Sequence, residues 1–388
     1  MANRIYFANQ QLAFRRDGGS TWTAAHGVQS VAVTTTFNLE QAFELGQLAI
    51  YENIEGVPDI ELTATKVLDG YPLLYHLSTS RDSGHATAPT LAGRSNAKCV
   101  TALGIWPDTA DSAGAGGAAA STQMECSGMF ASSISYSFPT EDNFTEDITL
   151  VGNDKGWKSA TTTAIDCDNP GWAFAAAAGS FGSNDDAPQG TGGVQRRENL
   201  AFNSENARDA GGPDYTLLPR QIPGVSTSGW MRPQNAGNEV HLQSISISTD
   251  LGREELFELG TRQPYARVVT FPIEVTCDIE VLSLSGDMIN AFSDGGIYST
   301  DQCTGISDNL QNESIRLATC EGTRIFLGDK NKLASVNYGG GDAGGGNVTV
   351  TYSYTTFNDC TVMHPQDPDA SGTEWWDARA SYLTSAIV

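Results

Sequence analysis

QSVAVTTTFNLEQAFELGQLAIY (residues 29–51) and QSISISTDLGREELFELGTRQPY (residues 243–265) align without a gap at an offset of 214, with nine of 23 positions identical. The matches have a period. Val31, Val33, Thr35 and Phe37 alternate with more polar residues, and Ile245, Ile247, Thr249 and Leu251 do so with the same parity. Side chains of a strand point alternately to its two faces, so this pattern predicts a strand with one buried face in each copy. A short helix is expected next, with Asn38 as its cap and Glu40 in its first turn. Phe43-Glu44-Leu45-Gly46 then matches Phe257-Glu258-Leu259-Gly260. Each glycine stands where a helix end or tight turn needs positive φ.

The similarity extends outward. Ile60–Thr63 matches Ile273–Thr276 at an offset of 213, as if one residue were deleted, and Ile134–Phe138 matches Val350–Tyr354 at 216. The chain therefore divides into an N-terminal arm (1–25), a first module (26–150), a connector or insertion (151–239), a second module (240–362) and a C-terminal arm (363–388). The expected fold is mainly β: two tandem β-sandwich or half-barrel modules, each with a short flanking α-helix, plus a long irregular insertion. Two modules in one chain can occupy two equivalent positions around a ring axis, so that three chains imitate six.

Composition fits this reading. Among 388 residues, 41 are glycine and only 18% are charged, which suits β-structure with many turns. The net charge of -24 argues against a nucleic-acid-binding surface and against docking on an anionic membrane. An acidic wall is compatible with DNA passing without sticking. No apolar run is long enough to span a bilayer, and MANRIYFANQQLAFRR lacks the apolar core of a signal peptide, so folding in a cytoplasm is expected. Seven widely spaced cysteines form neither a zinc pattern nor a compact disulfide framework, and are expected to act as small buried apolar residues.

Residues 107–123 and 339–347 are rich in Gly and Ala and occupy similar places before the closing strands; both read as loop tips that could order on stacking. The connector contains Trp157, Trp172, Phe174, Leu217 and Leu218, too apolar for a free linker, and is expected to wrap across a neighbouring module. Trp375 and Trp376 in the C-terminal arm are candidate contact residues.

Catalytic patterns are weak. His26, His76, His85, His241 and His364 have no metal-ligand spacing, and no phosphate loop or nucleophile elbow follows a strand. Asp367-Pro-Asp369-Ala-Ser371-Gly372 begins like a calcium loop, but Ala378 stands where the closing glutamate belongs. Glu44 and Glu258 are equivalent, as a structural role kept in both copies requires. No catalytic, cofactor or metal residue is predicted. The candidate assembly residues are Phe43, Glu44, Leu45, Gly46, Phe257, Glu258, Leu259, Gly260, Trp375 and Trp376.

Residues 28–52 and 240–266, together with GVQRRENLAF (193–202), resemble phage tail tube proteins. The resemblance implies modules whose inner sheets join side by side into a β-barrel around a lumen, assembled as trimeric, pseudo-hexameric rings stacked into a tube of the virion. It implies no enzymatic activity and no cofactor. The implied partners are further copies of the chain, with sheath, tape measure, tail terminator and baseplate proteins, while DNA crosses the lumen without specific binding. A baseplate, neck or decoration protein, or a carbohydrate-binding host-recognition module, are the alternatives.

Overall fold

The computed structural model describes residues 5, 7–19, 22–46, 48–80, 91–106, 120–159, 193–202, 216–225, 240–283, 286–289, 311–339, 346–365 and 367. Expectations for the loop at 107–119, for the Gly-rich 340–345, for much of the connector and for Trp375 and Trp376 lie outside the described residues.

The first module contains β1 (Gln10–Arg16), β2 (Trp22–Ala24), β3 (Val28–Thr36), β4 (Leu39–Phe43), β5 (Ile50–Glu55), β6 (Asp59–Val67), the short helices α1 (Leu74–Ser78) and α2 (Leu91–Arg94), then β7 (Cys99–Ile105), β8 (Thr122–Pro139), β9 (Thr145–Gly152) and β10 (Asp154–Ser159). The second contains β11 (Leu242–Asp250), β12 (Arg253–Leu256), β13 (Ala266–Val269), β14 (Glu274–Leu282), β15 (Arg316–Ala318), β16 (Arg324–Phe326), β17 (Lys332–Gly339), β18 (Thr349–Phe357) and β19 (Thr361–Met363). The protein is mainly β; among the described residues the sheets are open, none closes into a barrel, and the largest has 12 strands.

Eight strands of that sheet form one antiparallel run in the order β3-β6-β9-β8-β11-β14-β18-β17. The 18-residue β8 links two layers. Its first half pairs with β7 and β10, and its second half with β9 and β11. The arm expected at 1–25 supplies β1 and β2 beside β7, and β10 extends the first module past residue 150.

The helix expected over Asn38–Gly46 is a correction. β4 pairs with β5, and at the same offset β12 pairs with β13, so both copies carry a hairpin that prolongs the preceding strands. Residues 50–55 offer a strand in register with 39–43, and that pairing overrides local helix preference. Asn38 closes the hairpin neck instead of capping a helix, donating to Val57 O and Asp59 Oδ2, each at 2.9 Å. The described short helices, α1 and α2, lie elsewhere in the first module.

Pairing registers locate the repeat better than sequence identity does. Val31, Val33 and Thr35 face Ala64, Leu62 and Ile60, while Ile245, Ile247 and Thr249 face Ile279, Cys277 and Val275. Ile60 thus corresponds to Val275 rather than Ile273, and one residue is inserted before β14 rather than deleted. Carried across the sheet, the same comparison pairs β9 with β18 at an offset of 204 and β8 with β17 at 202. Bulges confirm this: Gln29 and Gln243 are the extra residues in β3 and β11, Ser132 and Ala334 those in β8 and β17. The match of Ile134–Phe138 to Val350–Tyr354 therefore joined strands of different rank.

One apolar core runs beneath both modules, including Leu62, Ile134, Phe138 and Leu150 from the first and Ile247, Ile279, Tyr352 and Tyr354 from the second. Leu12, Phe14, Leu74, Leu77, Leu317, Ile325 and Val362 pack against it from the outer layer. Described pieces of the connector strap both modules. Gln195 N–H donates to Leu68 O at 2.8 Å, and Leu217 N–H to Arg316 O at 2.7 Å.

Buried carboxylates tie the layers. Glu146 accepts from the amides of Leu74 and Tyr75 at the start of α1, at 2.6 and 3.0 Å, and burial raises its pKa. Glu321, in the turn between β15 and β16, accepts from Gly70 N–H at 2.6 Å and Thr323 Oγ1 at 2.6 Å. Burial pushes its carboxyl from 4.5 up to about 7, against the pull of those donors. A raised acid keeps its proton in the folded state, so this contribution is greatest at the acid end of that window. It falls as pH rises through the window, by on the order of 3 kcal/mol. Glu321→Gln is expected to raise the melting temperature at pH 8 and to leave it nearly unchanged at pH 4.5; equal shifts at both would contradict this linkage.

Candidate functional site: an assembly interface

The eight-strand run has two unlike faces. One packs on the core. The other carries Ser and Thr from every strand, for example Thr34, Thr63, Thr149, Ser135, Ser246, Thr276, Ser353 and Ser335. Among these stand the carboxylates of Asp59, Glu61, Asp147, Asp250, Glu274, Asp278 and Glu280. Hydroxyls bridge neighbouring strands: Thr65 Oγ1 donates to Asp147 at 2.5 Å, Ser244 Oγ to Glu280 at 3.1 Å, and Ser248 and Thr276 share a bond of 2.7 Å. This face is polar and mainly acidic, with Lys332 and Phe357 at its β17–β18 end.

β3 and β11 are the first and fifth strands of an antiparallel run, so they point the same way. Both hairpins therefore leave the sheet at one end. The sequence-predicted residues lie at their tips, with Phe43, Leu45, Phe257 and Leu259 all exposed. Gly46 and Gly260 have φ of +94° and +96°, as the sequence required of a tight turn. Glu44 and Glu258 sit on exposed tips rather than at helix ends.

The joint between modules is β8 against β11, with Tyr136 opposite Ile247 and Ile134 opposite Thr249. Three arginines of the second hairpin reinforce it. Arg253 lies over the Phe130 ring and donates to Ala131 O (2.8 Å from Nε) and Ser95 O (2.6 Å). Burial, then nearby Arg267, lower its guanidinium to about 10, which leaves it charged at neutral pH. Arg267 pairs with Asp59 at 3.3 Å and with Glu255. Arg262, beyond the tip, donates to Glu55 O and Gly56 O at 2.7 and 3.1 Å. Leu251, whose amide donates to Ser132 O at 2.7 Å, is buried to 1% exposure beneath them.

The run ends at β3 and β17, which have no further strand among the described residues. By the register mapping, β3 is the counterpart of β11, and β17 the counterpart of β8. The two free edges are therefore the two halves of the internal joint, displaced to opposite ends of the sheet. Their inward residues are less covered than those of the internal joint: Val31 and Val33 are partly buried where Ile245 and Ile247 are buried, and Tyr338 is exposed where Tyr136 is buried. Phe37 is 70% exposed where its counterpart Leu251 is enclosed.

Other sequence expectations resolve individually. Cys99, Cys126, Cys277 and Cys360 are buried as expected, whereas Cys320 is exposed. Cys167 and Cys303 lie outside the described residues. Asp367 of the calcium-like stretch is buried against Arg94. The arginines of the internal joint were not singled out from sequence, because they fall at mismatched positions of the repeat.

No protein-family model matches the chain, and no curated protein matches it. Among solved structures it is similar to a chain of the anti-feeding prophage baseplate, 6-fold symmetrised, with a TM-score of 0.30 and 9% identity over 42% of this chain and 100% of that one. It is also similar to a chain of the anti-feeding prophage tube-terminating cap, with a TM-score of 0.29 and 12% identity over 41% of this chain and 94% of that one.

Arg253→Ala removes a buried charged donor from two carbonyls at the internal joint. It is expected to lower the urea unfolding midpoint, at a cost on the order of 1–3 kcal/mol. An unchanged midpoint would mean that the strand ladder alone holds the modules.

Proposed function

We propose that this chain is the structural subunit of a phage tail tube, closing into rings edge to edge around a lumen through which DNA passes. The observation that carries the reading is the equivalence of the free edges to the internal joint. β17 of one copy beside β3 of the next repeats the β8·β11 pairing, with Tyr338 opposite Val33 and Val336 opposite Thr35. Because each joint relates neighbouring modules in the same way, three chains would place six modules about one axis. The edges satisfy each other, which removes the hazard of open strands.

The Ser, Thr and carboxylate face then lines the lumen, where like charge keeps phosphate from adhering. The apolar tips at Leu45 and Leu259 leave the same end of every module and reach the next ring. Tape measure, tail terminator and baseplate proteins are the further partners this reading implies, with a sheath where the tail is contractile.

Negative-stain electron microscopy at rising protein concentration tests this reading. Rings with threefold or pseudo-sixfold symmetry and a central hole are expected; a chain that stays monomeric at every concentration would overturn it. Leu45→Asp combined with Leu259→Asp is expected to leave single rings and abolish their stacking. Stacks of normal length would remove the tips from the ring-to-ring contact.

A further inference from the structure

Apart from Ser95, the contacts of the internal joint have counterpart positions at the outer one. On the hairpin side, Leu251, Arg253, Arg262 and Arg267 become Phe37, Leu39, Leu48 and Asn53. On the receiving side, Ala131 becomes Leu333, Asn153 becomes Phe357, and Glu55 and Gly56 become Val269 and Thr270. None of the three arginines has a charged counterpart. The hairpin side left behind is apolar and open, with Leu48 103% exposed and Phe37 and Leu39 exposed; on the receiving side Phe271 and Phe357 are exposed, beside Lys332 and Glu274, which stand where Phe130 and Asp59 do.

We infer that the β4–β5 hairpin of one copy lies across the seam onto the second module of its neighbour, and that this seam is apolar where the internal joint is ionic. Phe37 and Leu39 pack on Leu333, Gln41 meets Phe357 as Glu255 meets Asn153, and Leu48 covers Val269–Phe271. The occupant of this surface is a second copy of the chain, because the equivalent surface inside the chain is filled by the chain's own second hairpin. Axial stacking does not account for the asymmetry. The tips Leu45 and Leu259 are exposed in both copies, whereas the change from arginine to leucine is confined to positions that face a seam. The inference rests on the ring reading and adds the chemistry of its seam.

Photo-crosslinking of the full chain under assembling conditions tests it. A benzoylphenylalanine replacing Leu48 is expected to form adducts with the peptide containing Val269, Thr270 and Phe271 of another copy. A second probe replacing Val33 reports the strand ladder, with adducts expected at Tyr338. Ladder adducts together with position-48 adducts that map elsewhere would overturn the apolar seam and leave the ring reading standing. No intermolecular adduct from either probe would overturn both. Leu39→Asp with Leu48→Asp is expected to raise the concentration needed for rings at least tenfold, without changing the melting temperature of the monomer, since both side chains are already in water. An unchanged threshold would overturn the seam.

Discussion

A strand edge is a row of backbone donors and acceptors that must find partners, and this molecule is organised by where those partners come from. β8 and β11 would each be an edge of an isolated module; here they satisfy one another, and the arginines of the second hairpin secure the match. That leaves β3 and β17 as the only two ends of the eight-strand run among the described residues. The continuous core, the shared polar face and the parallel hairpins all follow from modules being joined in this one way.

Were the chain to close into the proposed ring, magnitudes would place its outer seam near balance. Burying a large apolar side chain gains about 1.5–3 kcal/mol, so five of them yield on the order of 10 kcal/mol. Each ladder hydrogen bond adds about 1 kcal/mol. Association costs roughly 4–15 kcal/mol in lost translational and rotational freedom. In the proposed ring, a seam of that strength would form and dissolve with concentration, whereas the internal joint adds salt-bridged contacts to a covalent tether.

Much of the fold was legible in the sequence, for a physical reason. Burial on one face imposes a period of two, and the shared parity of Val31, Val33 and Ile245, Ile247 exposed both the strands and the duplication. The same regularity misled further along. Alternating Ser or Thr with aliphatic residues matches itself at any even slip, so Ile134–Phe138 found a false counterpart in β18, and Ile60 was placed two residues from its true one. Only bulges and pairing registers break that degeneracy. The hairpin was read as a helix because its partner strand contributes through pairing, which a local pattern does not contain. Conserved tips at Phe43–Gly46 and Phe257–Gly260 were found as identities. The joint itself is written in the differences, Leu39 against Arg253 and Leu48 against Arg262, and a search for likeness passes over those.

The peptide link between the two modules has an entropic consequence. In any closed ring of such modules, half of the joints are already made when the chain folds, so half as many bodies have to be gathered from solution. The second module is held beside the first at an effective concentration set by the connector, and it loses no free translation when the sheet forms. In such a ring the duplication would move part of the entropy of assembly into the folding of one chain, where it is met once, by the core that the two modules share.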